Sequence, residues 1–347
     1  MNDSPFGPFK AFSILWFPFA LPAIACGVAG WIVFYLANVL FAASFDGVES
    51  AAQAIGYFGV NARRAVLGLD FSPAADTGTA LMFALQGAVV LVLWSTFGLS
   101  TCRVMALRLA REEYIGYRDS LAFGFRHARS VLLFPFIVGA IVAVLWGIQA
   151  ALGLLPQWPG TGILAVIVLP LSYALTFASV AIVLSSLFAM GMLPAAIAVE
   201  RKGTLDAWGK ALNYLFARPL HVILYLVLLK VFLVDIVVHY AFEVDVLHRW
   251  TERALTSWRD DAHYREVSRG LGDLGGYDAF CAWIHRGIRA LIDLFVVGFA
   301  LSCFFAAFTG MFLIFRRDVD GIDVGDIDVE SDSRRDPAPR PVPPPSA

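Results

Sequence analysis

Charge is scarce in this sequence. Asp, Glu, Lys and Arg make up 16% of the 347 residues, where a soluble domain carries about 25%. The two signs nearly cancel, 26 basic side chains against 28 acidic ones, so the chain lacks the basic field that binds nucleic acid. Cysteine is scarce too. Cys26, Cys102, Cys281 and Cys303 show no CxxC spacing, which excludes a zinc knuckle or a disulfide framework. They read as small packing residues. The short motifs of soluble catalysis are missing: there is no GxSxG, no Walker loop, no HExxH, and no GxGxxG opening a strand–helix unit. No catalytic residue, cofactor or metal site is expected, and an enzyme acting on lipid inside the membrane ranks last among the functional readings.

Long apolar runs fill the space that charge leaves. The chain is 59% hydrophobic with 29 Phe, and its mean hydropathy is +0.71. A membrane span needs about 20 mostly apolar residues. Six segments qualify, at 20–43, 80–102, 131–155, 163–192, 219–242 and 288–314. Lipid cannot satisfy backbone polar groups, so these must be helices. The expected fold is an all-α polytopic membrane protein. The N-terminal run from 11 to 43 has only Lys10 before it and is too long for a signal peptide; it reads as a retained span, with Pro18 and Pro22 breaking its entry.

Lys and Arg set the orientation. They cluster after span two (Arg103 to Arg129), after span four (Arg201, Lys202, Lys210, Arg218) and after span six (Arg316, Arg317). By the positive-inside rule these sides and both termini are expected to be cytoplasmic. The outer loop at 243–287 is also rich in Arg and runs against the rule. Within it Leu247, Trp250, Ala254 and Trp258 recur at helical spacing, which suggests an interfacial helix. The domain reading is a six-span unit at 1–317 and a tail at 318–347. The tail is acidic, then proline-rich ("RRDPAPRPVPPPSA"), and is expected to be disordered. Its opening "DVDGIDVGDIDVE" misses the positions of a calcium loop.

Two polar interruptions match without a gap. "EYIGYRDSLAFGF" starts at Glu113 and "ERKGTLDAWGKAL" at Glu200, so Glu113, Gly116 and Asp119 align with Glu200, Gly203 and Asp206. The glycines suit a left-handed helix stop. Each Asp then sits in the first turn of a new helix, where it favours the dipole. Each copy reads as an elbow: a helix stop followed by a short amphipathic helix at the interface. The repeated units run over 80–155 and 163–242, in one orientation, as in parallel transporter repeats. Convergence of the two Glu–Asp pairs as a cation site is the minor alternative.

The stretch "LPAAIAVERKGTLDAWGKALNYLF" resembles a pattern in a family of uncharacterised bacterial multi-pass inner-membrane proteins. It is also similar to the membrane region attached to some glycerophosphodiester phosphodiesterases. The resemblance rests on Pro194, Glu200, Gly203, Asp206 and Ala207, and the closing "LIFRRDVDGIDVGDIDV" shares it. It implies a helical membrane fold. The phosphodiesterase catalytic domain has no counterpart here, so that activity is not implied.

Charged groups inside spans are functional candidates by default. Span five holds Lys230, Asp235 and His239, with Glu243 at its end, and span six holds Arg289 and Asp293. Asp235, His239 and Glu243 stack at i, i+4, i+8. With the two spans antiparallel, Asp235 and Asp293 are expected at similar depth, lining a polar pocket between the spans. The competing expectation is an intrahelical Arg289–Asp293 pair, a snorkelling Lys230 and a His near the headgroups. Three functions follow in order: a transport-related or permease-like protein, a non-catalytic scaffold or accessory subunit, and the lipid-acting enzyme. The expected partners are the lipid bilayer and a protein gripping the proline-rich tail.

Overall fold

The computed structural model describes residues 20–45, 50–67, 77–154, 162–256 and 276–327. They form helices throughout, without a strand. The elements are α1 (Leu21–Ser44), α2 (Ala51–Leu67), α3 (Thr77–Leu93), α4 (Leu99–Arg111), α5 (Tyr117–Leu154), α6 (Gly162–Glu200), α7 (Thr204–Ala217), α8 (Pro219–Thr256) and α9 (Gly276–Asp320). A π-helical turn, Trp94–Gly98, joins α3 to α4 as one rod. Six of these rods are long and apolar enough to cross a membrane, so the protein is an all-α, multi-pass membrane protein. α2 had no counterpart in the sequence reading.

α9 is the central post. It packs against α1, α4, α6 and α8, while α4 also packs against α1, α5 and α6. Small residues let the backbones close: a Cβ on Gly27 of α1 would meet the Gly298 carbonyl oxygen of α9 at 2.8 Å. Such approaches drive helix association where lipid removes the hydrophobic incentive. The π turn meets a second glycine. The Ser100 hydroxyl donates to the Thr96 carbonyl at 2.7 Å, and a Cβ on Gly124 would fall 2.0 Å from that hydroxyl oxygen.

Both elbows are present, and they differ from the expectation in three ways. The left-handed residues are Glu112 (φ 58°) and Arg201 (φ 54°) rather than the glycines; Gly203 is extended, at φ −69° and ψ 170°, and caps α7. Asp119 and Asp206 do occupy first turns. The helix before the first elbow ends two residues earlier than the match requires, so the first linker spans 112–116 and the second 201–203. Finally, only the second copy yields a separate interfacial helix, α7. It ends at Arg218 (φ −139°, ψ 57°) because Pro219 excludes helical backbone from the residue before it. The matching position in the first copy is Leu132, and there the elbow helix runs unbroken into its span as α5.

Two other boundaries move. The stretch with Leu247, Trp250 and Ala254 is no separate helix but the continuation of α8 to Thr256; Trp258 lies outside the described residues. α9 runs past the expected end of span six to Asp320. The chain then turns at Gly321 (φ 67°), and Val324 and Ile327 are buried in the core. The first ten residues of the tail at 318–347 are therefore ordered. The proline-rich part lies outside the described residues.

Replacing Gly124 by Ala should lower the melting temperature of the detergent-solubilised chain, consistent with a cost of about 1–3 kcal/mol for overpacking. Gly147→Ala, which has no atom within 4 Å of the added Cβ, should leave it unchanged or slightly raised. Thermal shift followed by size-exclusion chromatography reads both.

Candidate functional sites: a buried ionic hub and a far-end cleft

The second elbow carries the most deeply buried ion pair among the described residues. Glu200 ends α6, and its side chain is 5% exposed. Its Oε1 accepts from Arg316 Nε at 3.0 Å and from Lys210 Nζ at 2.5 Å. Arg316, on α9, is 8% exposed. Lys202 approaches the other oxygen at 3.7 Å from solvent. Lys210 also reaches Asp320 at 3.3 Å, and the Tyr214 hydroxyl donates to the same carboxylate at 2.7 Å. Lys210 and Tyr214 sit at i, i+4 on α7, so one helix face supplies both donors.

Arginine then fastens the chain beyond α9. Arg316 Nη1 donates to the Asp326 carbonyl. Arg111, at the end of α4, donates to Gly325 at 3.0 Å and to Ile327 at 2.9 Å. Deeper in, Arg103 donates to the Ala198 carbonyl at 2.6 Å and lies 4.9 Å over the Phe123 ring. The hub therefore ties α4, α6, α7, α9 and the segment 321–327 into one end of the bundle. Burial pushes the Tyr214 hydroxyl pKa up, and the Asp320 and Glu200 charges add to the rise. Tyr214 stays a neutral donor at ordinary pH.

The elbow residues do not converge. Glu113 is half exposed and lies 4.0 Å from Arg111, whereas Glu200 is buried. No group of three or more His, Cys, Asp or Glu side chains that could hold a metal occurs among the described residues.

Of the residues expected to form the pocket, Asp293 lines a cleft between α8 and α9, whereas Lys230, Asp235, His239 and Glu243 do not. α8 and α9 run antiparallel, with Tyr225 against Phe315, Tyr240 against Phe299 and His248 against Asp293. That register puts Asp235 beside the level of Phe305. Asp293 lies ~20 Å further along the axis at 1.5 Å per residue, so the two carboxylates do not share a depth. Lys230, Asp235, His239 and Glu243 all face outward from α8. Asp235 and His239 are 70% and 75% exposed and only 3.9 Å apart. The expected Arg289–Asp293 pairing is replaced by contacts between helices: Arg289 reaches Glu252 at 3.5 Å, and Asp293 reaches His248 at 3.2 Å.

The second feature lies there, at the end far from the hub. An open cleft of about 380 Å³ separates α8 from α9. Ala241, Val244, Val296 and Val297 line one part, and Asp245, His248, Arg289 and Asp293 the other. A third polar contact is sealed inside the fold. Gln86 of α3 donates to Asn38 of α1 at 2.6 Å and to the Ala54 carbonyl of α2 at 2.9 Å. These two amides, fully buried in apolar helices, went unremarked in the sequence reading; a lone amide in a span is itself the signal.

No protein-family model, curated protein or solved structure matches the chain.

Glu200→Gln should destabilise the chain by about 3–5 kcal/mol, since it leaves the buried Arg316 uncompensated. Lys202→Gln, on the exposed side, should cost under about 1 kcal/mol. Unfolding titrations in mixed detergent micelles separate the two. Tyr214 adds a pH dependence with a definite sign. Its folded pKa is raised above the unfolded value of about 10, so its contribution is intact below that pH and is lost as pH rises beyond it. Tyr214→Phe should therefore flatten the alkaline fall in stability above about pH 10, in the same titrations run across pH.

Proposed function

We propose that the chain is a non-catalytic membrane scaffold or accessory subunit, which packs against another membrane helix through the outward face of α8. One observation carries this reading: Asp235 and His239 lie exposed at membrane depth, on a helix that packs chiefly against α9 and α7. The register sets Asp235 eleven residues inward of Arg316's level, ~16 Å at 1.5 Å per residue, in a hydrocarbon layer about 30 Å thick. A short Asp side chain cannot snorkel from there. Facing lipid, it would cost about 2.5–3.5 kcal/mol by insertion scales, and a polar partner helix removes much of that cost. Lys230 lies only ~9 Å inward and can reach the interface. The positive-inside pattern supports placing the hub and both termini in the cytoplasm of a bacterium, with the inner membrane as the location. The proline-rich tail offers a second contact for a protein partner.

The transport-related, permease-like reading comes second. It is favoured by the mixed-charge cleft between α8 and α9, but the intramembrane charges that would continue a path from it point away from α9.

A photo-crosslinking residue at Val238, on the Asp235 face of α8, tests the first reading in intact membranes. The expected result is a discrete protein adduct that Asp235→Leu reduces at least about fivefold, the equivalent of ~1 kcal/mol. An adduct indifferent to Asp235→Leu, or labelling of lipid only, overturns it.

A further inference from the structure

We propose that the far-end cleft between α8 and α9 is a binding site for a zwitterionic phospholipid with a primary ammonium headgroup, of the phosphatidylethanolamine class. The proposal does not depend on the scaffold reading.

Depth is the first argument. Asp293 lies 23 residues from Arg316 along one uninterrupted helix, ~35 Å at 1.5 Å per residue. The hydrocarbon layer is about 30 Å thick. With the hub at one boundary, the cleft lies at headgroup level on the other.

Its lining is graded in the matching direction. In the α8–α9 register, the apolar residues Ala241, Val244, Val296 and Val297 sit on the side toward the membrane centre, next to the Tyr240–Phe299 contact. The polar residues Asp245, His248, Arg289 and Asp293 sit on the side away from it. A phospholipid has the same order along its length, acyl chains and then a charged headgroup. A freely soluble solute has no need of the apolar half.

The charges specify the headgroup. Arg289 lines the cleft as a donor for a phosphate, while His248 Nε2 holds Asp293 at 3.2 Å. The guanidinium has five N–H groups and gives one contact to Glu252, at 3.5 Å. Asp293 is largely exposed despite its contact with His248, and Asp245 is half exposed beside Arg249. Each carboxylate has lone pairs beyond its one ion-pair contact with which to accept from an ammonium. A primary ammonium offers three N–H donors to such acceptors. A quaternary choline offers none and prefers an aromatic cage; among the described residues the cleft lining contains no Trp, Tyr or Phe. An anionic headgroup without an ammonium would leave the two carboxylates facing a phosphate.

The test uses the full chain in bilayer nanodiscs that carry trace photoactivatable phosphatidylethanolamine or phosphatidylcholine of equal acyl composition. The ethanolamine lipid should label the chain several-fold more strongly, with adducts on peptides from 241–256 or 276–300. Arg289→Gln and Asp293→Asn should each reduce labelling about tenfold, the weight of one charge-assisted hydrogen bond. Val297→Trp fills the apolar half without touching a charge and should reduce it as well. It guards against a charge variant that simply misfolds, and retained melting temperature identifies a folded variant. Soluble glycerophosphoethanolamine at millimolar concentration should not compete. Equal labelling by the two lipids, labelling unchanged in all three variants, or full competition by the soluble headgroup would each overturn the proposal.

Discussion

The Glu200 carboxylate is the constraint around which one end of this molecule is arranged. A buried carboxylate is expensive unless it is paired and fully hydrogen-bonded. Here one oxygen takes Arg316 and Lys210 together, with Lys202 near the other. Those cations come from different elements, so satisfying the charge fixes where α7 and α9 sit relative to α6. Arg316 and Arg111 then use their remaining donors on carbonyls of the segment after α9. The packing of Val324 and Ile327 is thus a downstream effect of an electrostatic demand made at residue 200. Buried pairs of this kind add little net stability over a well-packed apolar contact, yet removing one partner is costly because the other charge is left buried.

Inside the apolar layer the rules differ. Helix contacts there are made by close backbone approach, as at Gly27 and Gly298, and by hydroxyls and amides that bond within or between helices, as at Ser100 and Gln86. Charged groups on α8 within the layer face away from the bundle. Where α8 meets α9 it uses Tyr225 and Tyr240, and it turns Asp235 and His239 outward.

The six spans were legible because twenty apolar residues in a row admit one interpretation in lipid. First-turn acids at Asp119 and Asp206 were legible because they depend on local geometry alone. What failed depended on partners remote in sequence. Glu200 read only as part of a repeated elbow, since nothing near it announces Arg316, 116 positions away. Glu113 matched it in the repeat, yet the copies diverge once their surroundings do. The pocket expected from Lys230, Asp235, His239 and Asp293 rested on helical spacing. Spacing gives the face of a helix but not which neighbour it turns toward. Pro219 was visible, and its absence at Leu132 explains why one elbow is a separate helix and the other is not.

The hub also imposes an order on biosynthesis. Glu200 emerges long before Arg316, and at about 5–20 residues per second the interval is roughly 6–20 s. During that time the carboxylate lacks the Arg316 guanidinium that pairs with it in the folded chain. The elbow, closed to water in the finished protein, is therefore open in the nascent one. Its sealing waits on α9, the element that carries Arg316.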